Sequence, residues 1–164
     1  MEDSLQFLVG GKWNRERWWY GVIQVCRRWR YLVLQSTSHL RLSLVCTHGT
    51  LVADMLAHSP PLPLIIDYLD EPADFTAKDE EGLTLALRHH DRVHRVRIMR
   101  SISILQNLII ALDGEFPILE YLFIEHQRYM RPRIEHDMSL DLPETFRAPN
   151  LRHLVLMNFT IPIG

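Results

Sequence analysis

The chain has 164 residues, 47% of them hydrophobic and 23% charged, with a net charge of −2. That is room for one domain with a real core, and the balance excludes a polyanion binder acting through its whole surface. The charge is uneven: residues 1–50 hold seven Lys/Arg against three Asp/Glu, and the rest of the chain is acidic.

The opening "MEDSLQFLVGG" is acidic, and its apolar run is too short for a signal peptide. No stretch reaches the ~18 apolar residues of a membrane span, so no membrane partner is expected. From Arg15 a helical period sets in. Trp18, Val22, Val25, Trp29 and Leu32 recur at steps of four and three, and Ile23, Cys26 and Val33 widen the stripe. This predicts one amphipathic helix of about five turns, ending at Ser36-Thr37-Ser38, with Trp18 and Trp29 buried and Arg27, Arg28 and Arg30 on the wet side. With those tryptophans inside, they are not free to stack on bases, and no nucleic-acid partner is expected. Cys26 and Cys46 both fall in apolar surroundings. Two cysteines make no disulfide scaffold, so both are expected reduced and buried in an intracellular protein, cytoplasmic and/or nuclear.

The period then changes. "HLRLSLVC" alternates and predicts a strand with Leu40, Leu42 and Leu44 on one face. "GTLVADMLAHS" predicts a short helix closed by Pro60 and Pro61, and "LPLIIDYL" a strand. "TAKDEEGLTLALRHHD" predicts a helix with Thr76 as N-cap and Asp79 three positions on. "RVHRVRIM" predicts a strand, "SISILQNLIIALDG" a helix capped by Gly114, and "LEYLFIEH" and "LRHLVLMN" two further strands.

An internal repeat runs through these strands. "FPILEYLFI" aligns without gaps on "APNLRHLVL", matching Pro117 to Pro149, Leu119 to Leu151, Leu122 to Leu154 and Ile124 to Leu156 at an offset of 32. "DRVHRVRIM" follows the same L-x-x-L-x-L rule, with Val93, Val96 and Ile98 at an offset of 26. Such spacing leaves one helix or loop per unit, the arithmetic of a strand–helix solenoid.

Sites for chemistry are sparse. His89, His90, Asp91 and His94 lie close in sequence but lack metal-ligand spacing, and helix-end solvation accounts for them. Asp67, Asp70, Glu71 and Asp74 fall in a Pro-containing loop and are expected to be solvated. "GGKW" is no phosphate loop, and no serine sits in a nucleophile elbow. No catalytic residue, metal or cofactor is expected, and a small hydrolase-like α/β fold lacks its nucleophile.

The stretch "VIQVCRRWRYLVLQSTSHL" resembles the second half of an F-box, whose closing helix commonly reads V-C-x-x-W-x-x-L. Val25, Cys26, Trp29 and Leu32 match those positions. "LRLSLVCTHGT" and "HHDRVHRVRI" resemble the fungal-type F-box family with degenerate leucine-rich repeats. The resemblance implies a substrate receptor of a cullin–RING (SCF-type) ubiquitin ligase, docking on the Skp-type adaptor and recruiting an unidentified protein target through its repeats. It places Val22, Val25, Cys26, Trp29, Leu32 and Val33 in the adaptor-binding face or the core of the F-box helix. The opening Leu-Pro of an F-box is missing, Leu5, Phe7 and Leu8 stand as its remnants, and the array ends at Gly164 just after a strand. A short or truncated member is therefore expected. The expected architecture is α/β: a partial F-box-like helical segment over 1–38, then an irregular leucine-rich-repeat-like strand–helix array over 39–164. The rival expectation is a stand-alone repeat scaffold, its N-terminal helix serving only as a cap.

Overall fold

A computed structural model describes residues 18–36, 40–69, 75–126 and 142–157. Two short helices come first, α1 (Trp18–Val25) and α2 (Arg27–Gln35). The expected single helix is therefore broken, and the break is Cys26, whose φ of −160° and ψ of 168° are extended. The Cys26 carbonyl accepts from the Arg30 amide at 3.0 Å and starts the second helix. The Arg30 Nε folds back to the Ile23 carbonyl at 3.1 Å, taking up an acceptor that the broken helix leaves unpaired.

The remaining elements are β1 (Leu44–Cys46), α3 (Val52–His58), β2 (Leu64–Tyr68), α4 (Ala77–Leu87), β3 (Val93–Arg100), α5 (Ile102–Ile110), β4 (Tyr121–His126) and β5 (His153–Met157). The five strands form one parallel sheet in sequential order, β1-β2-β3-β4-β5. The protein is α/β. Parallel neighbours need a crossover, and α3, α4 and α5 provide one each between β1 and β4.

The repeat sets the register. Val96 pairs with Leu122 and Leu122 with Leu154, while Ile98 pairs with Ile124 and Ile124 with Leu156. The offsets of 26 and 32 are thus the ladder itself. The turns entering β4 and β5 repeat as well: the Leu119 amide donates to the Phe116 carbonyl, and 32 residues on the Leu151 amide donates to Ala148. Val93, Val96, Ile98, Leu119, Leu122 and Ile124 are all buried in one apolar cluster with Leu83, Leu87, Leu105 and Leu108 of the helices.

Local chemistry explains the helix boundaries. Thr76 and Asp79 form a reciprocal capping box at the start of α4. Pro60 and Pro61 follow α3, as expected. α5 ends earlier than expected, at Ile110 with Ala111 as its C-cap. Gly114 comes later, at φ +116°, where a Cβ would meet His90 Nδ1 at 3.1 Å. It serves the turn and the close approach of His90, not the helix end. β1 is also shorter than the alternating leucines suggest. Arg41 takes a left-handed φ of 48° and Leu40 bonds back to Ser36, so the extended run begins only at Leu44.

Candidate functional site

Two groups of residues stand out: the surface of the N-terminal helix pair, and a cluster of polar and aromatic side chains where β2 and β3 end.

The helix pair is anchored by Trp19, which is only 1% exposed, stacks on Tyr20 at 4.4 Å and donates its Nε1 proton to the Ser43 carbonyl at 3.1 Å. Val33 is buried in the same cluster as the sheet, and Val22 and Ile23 are half-buried against it. The remaining residues of the expected site face solvent. Val25 is 65% exposed, Trp29 51% and Leu32 52%, and Cys26 is exposed as well. Several sequence expectations are corrected here. Trp29 and Cys26 are not core residues, whereas Cys46 is buried as expected. Of the two tryptophans whose side chains are described, the buried one is Trp19, outside the expected stripe. The side chain of Trp18 lies outside the described residues. Of the six expected site residues, only Val22 and Val33 pack inward.

Arg27, Arg28, Trp29, Arg30, Tyr31 and Leu32 are all exposed, and no acid occurs between Trp18 and Gln35. The outcome is an exposed helix start that is both basic and aromatic. Burial of Trp29 therefore no longer argues against stacking on a ligand ring.

The second group was not anticipated. Parallel strands that end side by side bring His48, Tyr68 and Arg100 together, with Phe75 from the approach to α4. The His48 ring lies 4.9 Å from Tyr68 and 5.8 Å from Phe75. The Arg100 guanidinium, 4% exposed, sits 4.5 Å above the Phe75 ring and 5.8 Å from Tyr68, and it contacts His48 Nε2 and the Met99 carbonyl. Burial pushes the Tyr68 hydroxyl far above its usual range, Cys46 and Asp79 add to this, and Arg100 opposes it. Tyr68 is accordingly a neutral phenol. In open α/β sheets, the carboxyl ends of strands commonly hold ligands. Here side chains fill that position, and the arginine is clamped between aromatic faces. The arrangement ties β1, β2 and β3 to α4.

Asp79 extends this cluster. Its carboxylate accepts from the Gly49 amide at 2.9 Å, the Thr76 amide at 3.0 Å and the Thr76 hydroxyl at 2.8 Å. Burial alone would raise its pKa. The Thr76 and Gly49 amides, the Thr76 hydroxyl and nearby His48 more than reverse this, so it lies below the usual carboxylate value. A depressed folded pKa gives stability that is present above the unfolded value of about 3.9 and is lost as pH falls through the folded one. Asp79→Asn is expected to cost about 1–2 kcal/mol near neutrality, where the lost bonds include a helix cap. The native and variant melting temperatures should converge as pH falls through the depressed folded pKa of Asp79, below which the native side chain is neutral too. A gap that stays constant from pH 7 to acid would show that the charge is not what stabilises this corner.

The other sequence candidates are dispersed. His90 stacks on Phe116 at 4.4 Å, and His94 approaches Glu120 at 3.5 Å. Among the described residues, no three His, Cys, Asp or Glu come together as a metal site. Asp67 is not solvated, as its loop-like sequence suggested. It is the fourth residue of β2, 2% exposed, and its Oδ2 accepts from Arg97 Nη1 at 2.7 Å. Asp70, Glu71 and Asp74 lie outside the described residues. Among the described residues, no helix is long and apolar enough to cross a membrane.

Comparison with known proteins adds no assignment: no protein-family model, no curated protein and no solved structure matches the chain.

Proposed function

We propose that the chain is a non-enzymatic interaction module, a substrate receptor of a cullin–RING ubiquitin ligase, with α1 and α2 standing for a partial F-box. The observation that carries this reading is the exposure of Val25, Trp29 and Leu32 on a helix pair that Trp19 and Val33 anchor to the core. Three of the four residues matching V-C-x-x-W-x-x-L are thus exposed large hydrophobics, and the fourth, Cys26, is exposed too. Large exposed apolar side chains that neighbour one another, as Trp29 and Leu32 do three apart on α2, mark a docking surface, and tryptophan is a frequent anchor in such surfaces. In this reading the sheet is the strand side of an irregular leucine-rich-repeat-like solenoid. The in-register repeat of β3, β4 and β5 supports that. The Skp-type adaptor takes the helix pair, and a protein target takes the array.

The test is co-expression with a Skp-type adaptor. The native chain should co-purify with it in a stoichiometric complex. Trp29→Ala should lose the complex and still melt within about 2 °C of the native chain, because substitutions at exposed sites shift stability by only about 0.5 kcal/mol. No complex with the native chain would overturn the receptor reading. So would salt-dependent binding of single-stranded RNA that disappears when Arg27, Arg28 and Arg30 become Gln, since that would assign the same surface to a polyanion.

A second reading rests on the Trp19–Ser43 hydrogen bond. That bond fixes α1 just before β1, at the end of the sheet opposite β5. A repeat scaffold needs such an N-terminal cap whether or not an adaptor binds. Absence of the adaptor complex, with a cooperative melt that depends on Trp19, would favour this scaffold.

A further inference from the structure

We infer that the outer edge of β5 pairs with β5 of a second copy, antiparallel, about a two-fold axis at Val155. Four observations lead there.

The first is that the sheet pattern continues past its cover. Leu122 and Leu154 are register partners on the same face, yet Leu122 is fully buried and Leu154 is 50% exposed. Met157, at the end of the same strand, is 44% exposed. Among the described residues, β5 pairs with β4 on one side and with nothing on the other.

The second is that the strand lacks the devices that keep sheet edges apart. Natural edges are blunted by charged side chains, proline or a bulge. His153–Met157 reads HLVLM, without Lys, Arg, Asp, Glu or Pro. The sheet's one register shift lies elsewhere, at Leu64/Ile65.

The third is self-complementarity. Centring an antiparallel pair on Val155 sets Leu154 opposite the second copy's Leu156, and His153 opposite its Met157. Directly opposed residues in such a pair lie on one face. Leu154 and Leu156 are on the same face as the buried Leu122 and Ile124, so each leucine meets its counterpart and the exposed Leu154 is covered. The two His153 side chains fall at opposite ends of the ladder, and no like charges meet.

The fourth is that the strand at the other end of the sheet is not exposed. Leu44, Val45 and Cys46 of β1 are all buried, and the Trp19 hydrogen bond to Ser43 holds α1 beside its start. Head-to-tail stacking finds no open strand there, and the symmetric contact that remains stops at two copies. Five residues a side is far below the roughly 20–30 of a standard interface, so the dimer is weak and concentration-dependent.

Sedimentation velocity of the full chain over a hundred-fold concentration range should show monomer passing to dimer and no larger species. Val155→Lys and Val155→Glu each place like charges opposite one another on the axis. Each should raise the dimer dissociation constant about five-fold, and mixing the two variants should restore a mixed dimer. Hydrogen exchange on the native chain needs no variant: amides of residues 153–157 should slow as concentration rises. A chain that stays monomeric overturns the inference. Self-association that persists unchanged in both variants does the same, because it places the contact elsewhere, such as at Trp29. Growth beyond dimers would also overturn it.

Discussion

Trp19→Ala is expected to lower stability by about 3–5 kcal/mol, the range for truncating a buried tryptophan. Trp19 is a large, fully buried side chain at the junction of helix pair and sheet, packed in the same cluster as Leu42, Leu44 and Val33. Its loss opens a cavity there. It also removes the donor to the Ser43 carbonyl, in a residue that is itself buried. For a chain of this size, the change is worth about 10 °C of melting temperature. The informative comparison is Trp29→Ala, ten residues on, which is expected to leave the melt nearly unchanged. Calorimetry of both variants checks the assignment. Equal losses would mean that Trp29 is buried in solution and that the proposed docking surface does not exist.

The interchange of these two tryptophans shows where sequence periodicity ran out. The stripe Trp18, Val22, Val25, Trp29, Leu32 is a good face of one continuous helix. It fails because Cys26 is extended, and one extended residue resets the phase of every position after it. Nothing in "QVCRRW" announces the break: there is no proline or glycine, and the bonds that stabilise it, Arg30 Nε to Ile23 and Arg30 N to Cys26, appear only once it has formed. The F-box-like residues were found by their spacing, but their exposure depends on that phase and could not be read.

The sheet was more legible, because strand period is two and matched strands align by simple offset. Leu122, Leu154, Ile124 and Leu156 were paired from sequence alone, and the ladder places them so. Thr76 and Asp79 were legible for a similar reason, since a capping box is local. The strand-end cluster was not. His48, Tyr68, Phe75 and Arg100 are spread over more than fifty positions, and only the parallel order brings them together. Asp67 was misplaced because its neighbourhood is rich in acids and proline. The signal that could have found its partner was the offset of 30 that relates Ile66 to Val96 and, one step on, Asp67 to Arg97.

That pair gives the other large effect. Arg97→Met should destabilise the chain by about 3 kcal/mol, because it removes the cation 2.7 Å from a carboxylate that is almost wholly buried. The Leu69 amide donates to the other carboxylate oxygen at 3.2 Å, which softens the loss. The two residues are register partners on adjacent strands, so Asp67→Leu combined with Arg97→Met puts two apolar side chains where the ion pair stood. Ile65 and Phe123 lie nearby on the same face, and exchanging a buried pair for apolar residues is often neutral or stabilising. The double variant is therefore expected to recover most or all of the native stability, giving a coupling of about 2–3 kcal/mol in a double-mutant cycle. Denaturant melts of the two single variants and the double one measure it. Additive losses would mean that Asp67 and Arg97 do not depend on one another, and that Asp67 is stabilised in the sheet by something other than this arginine.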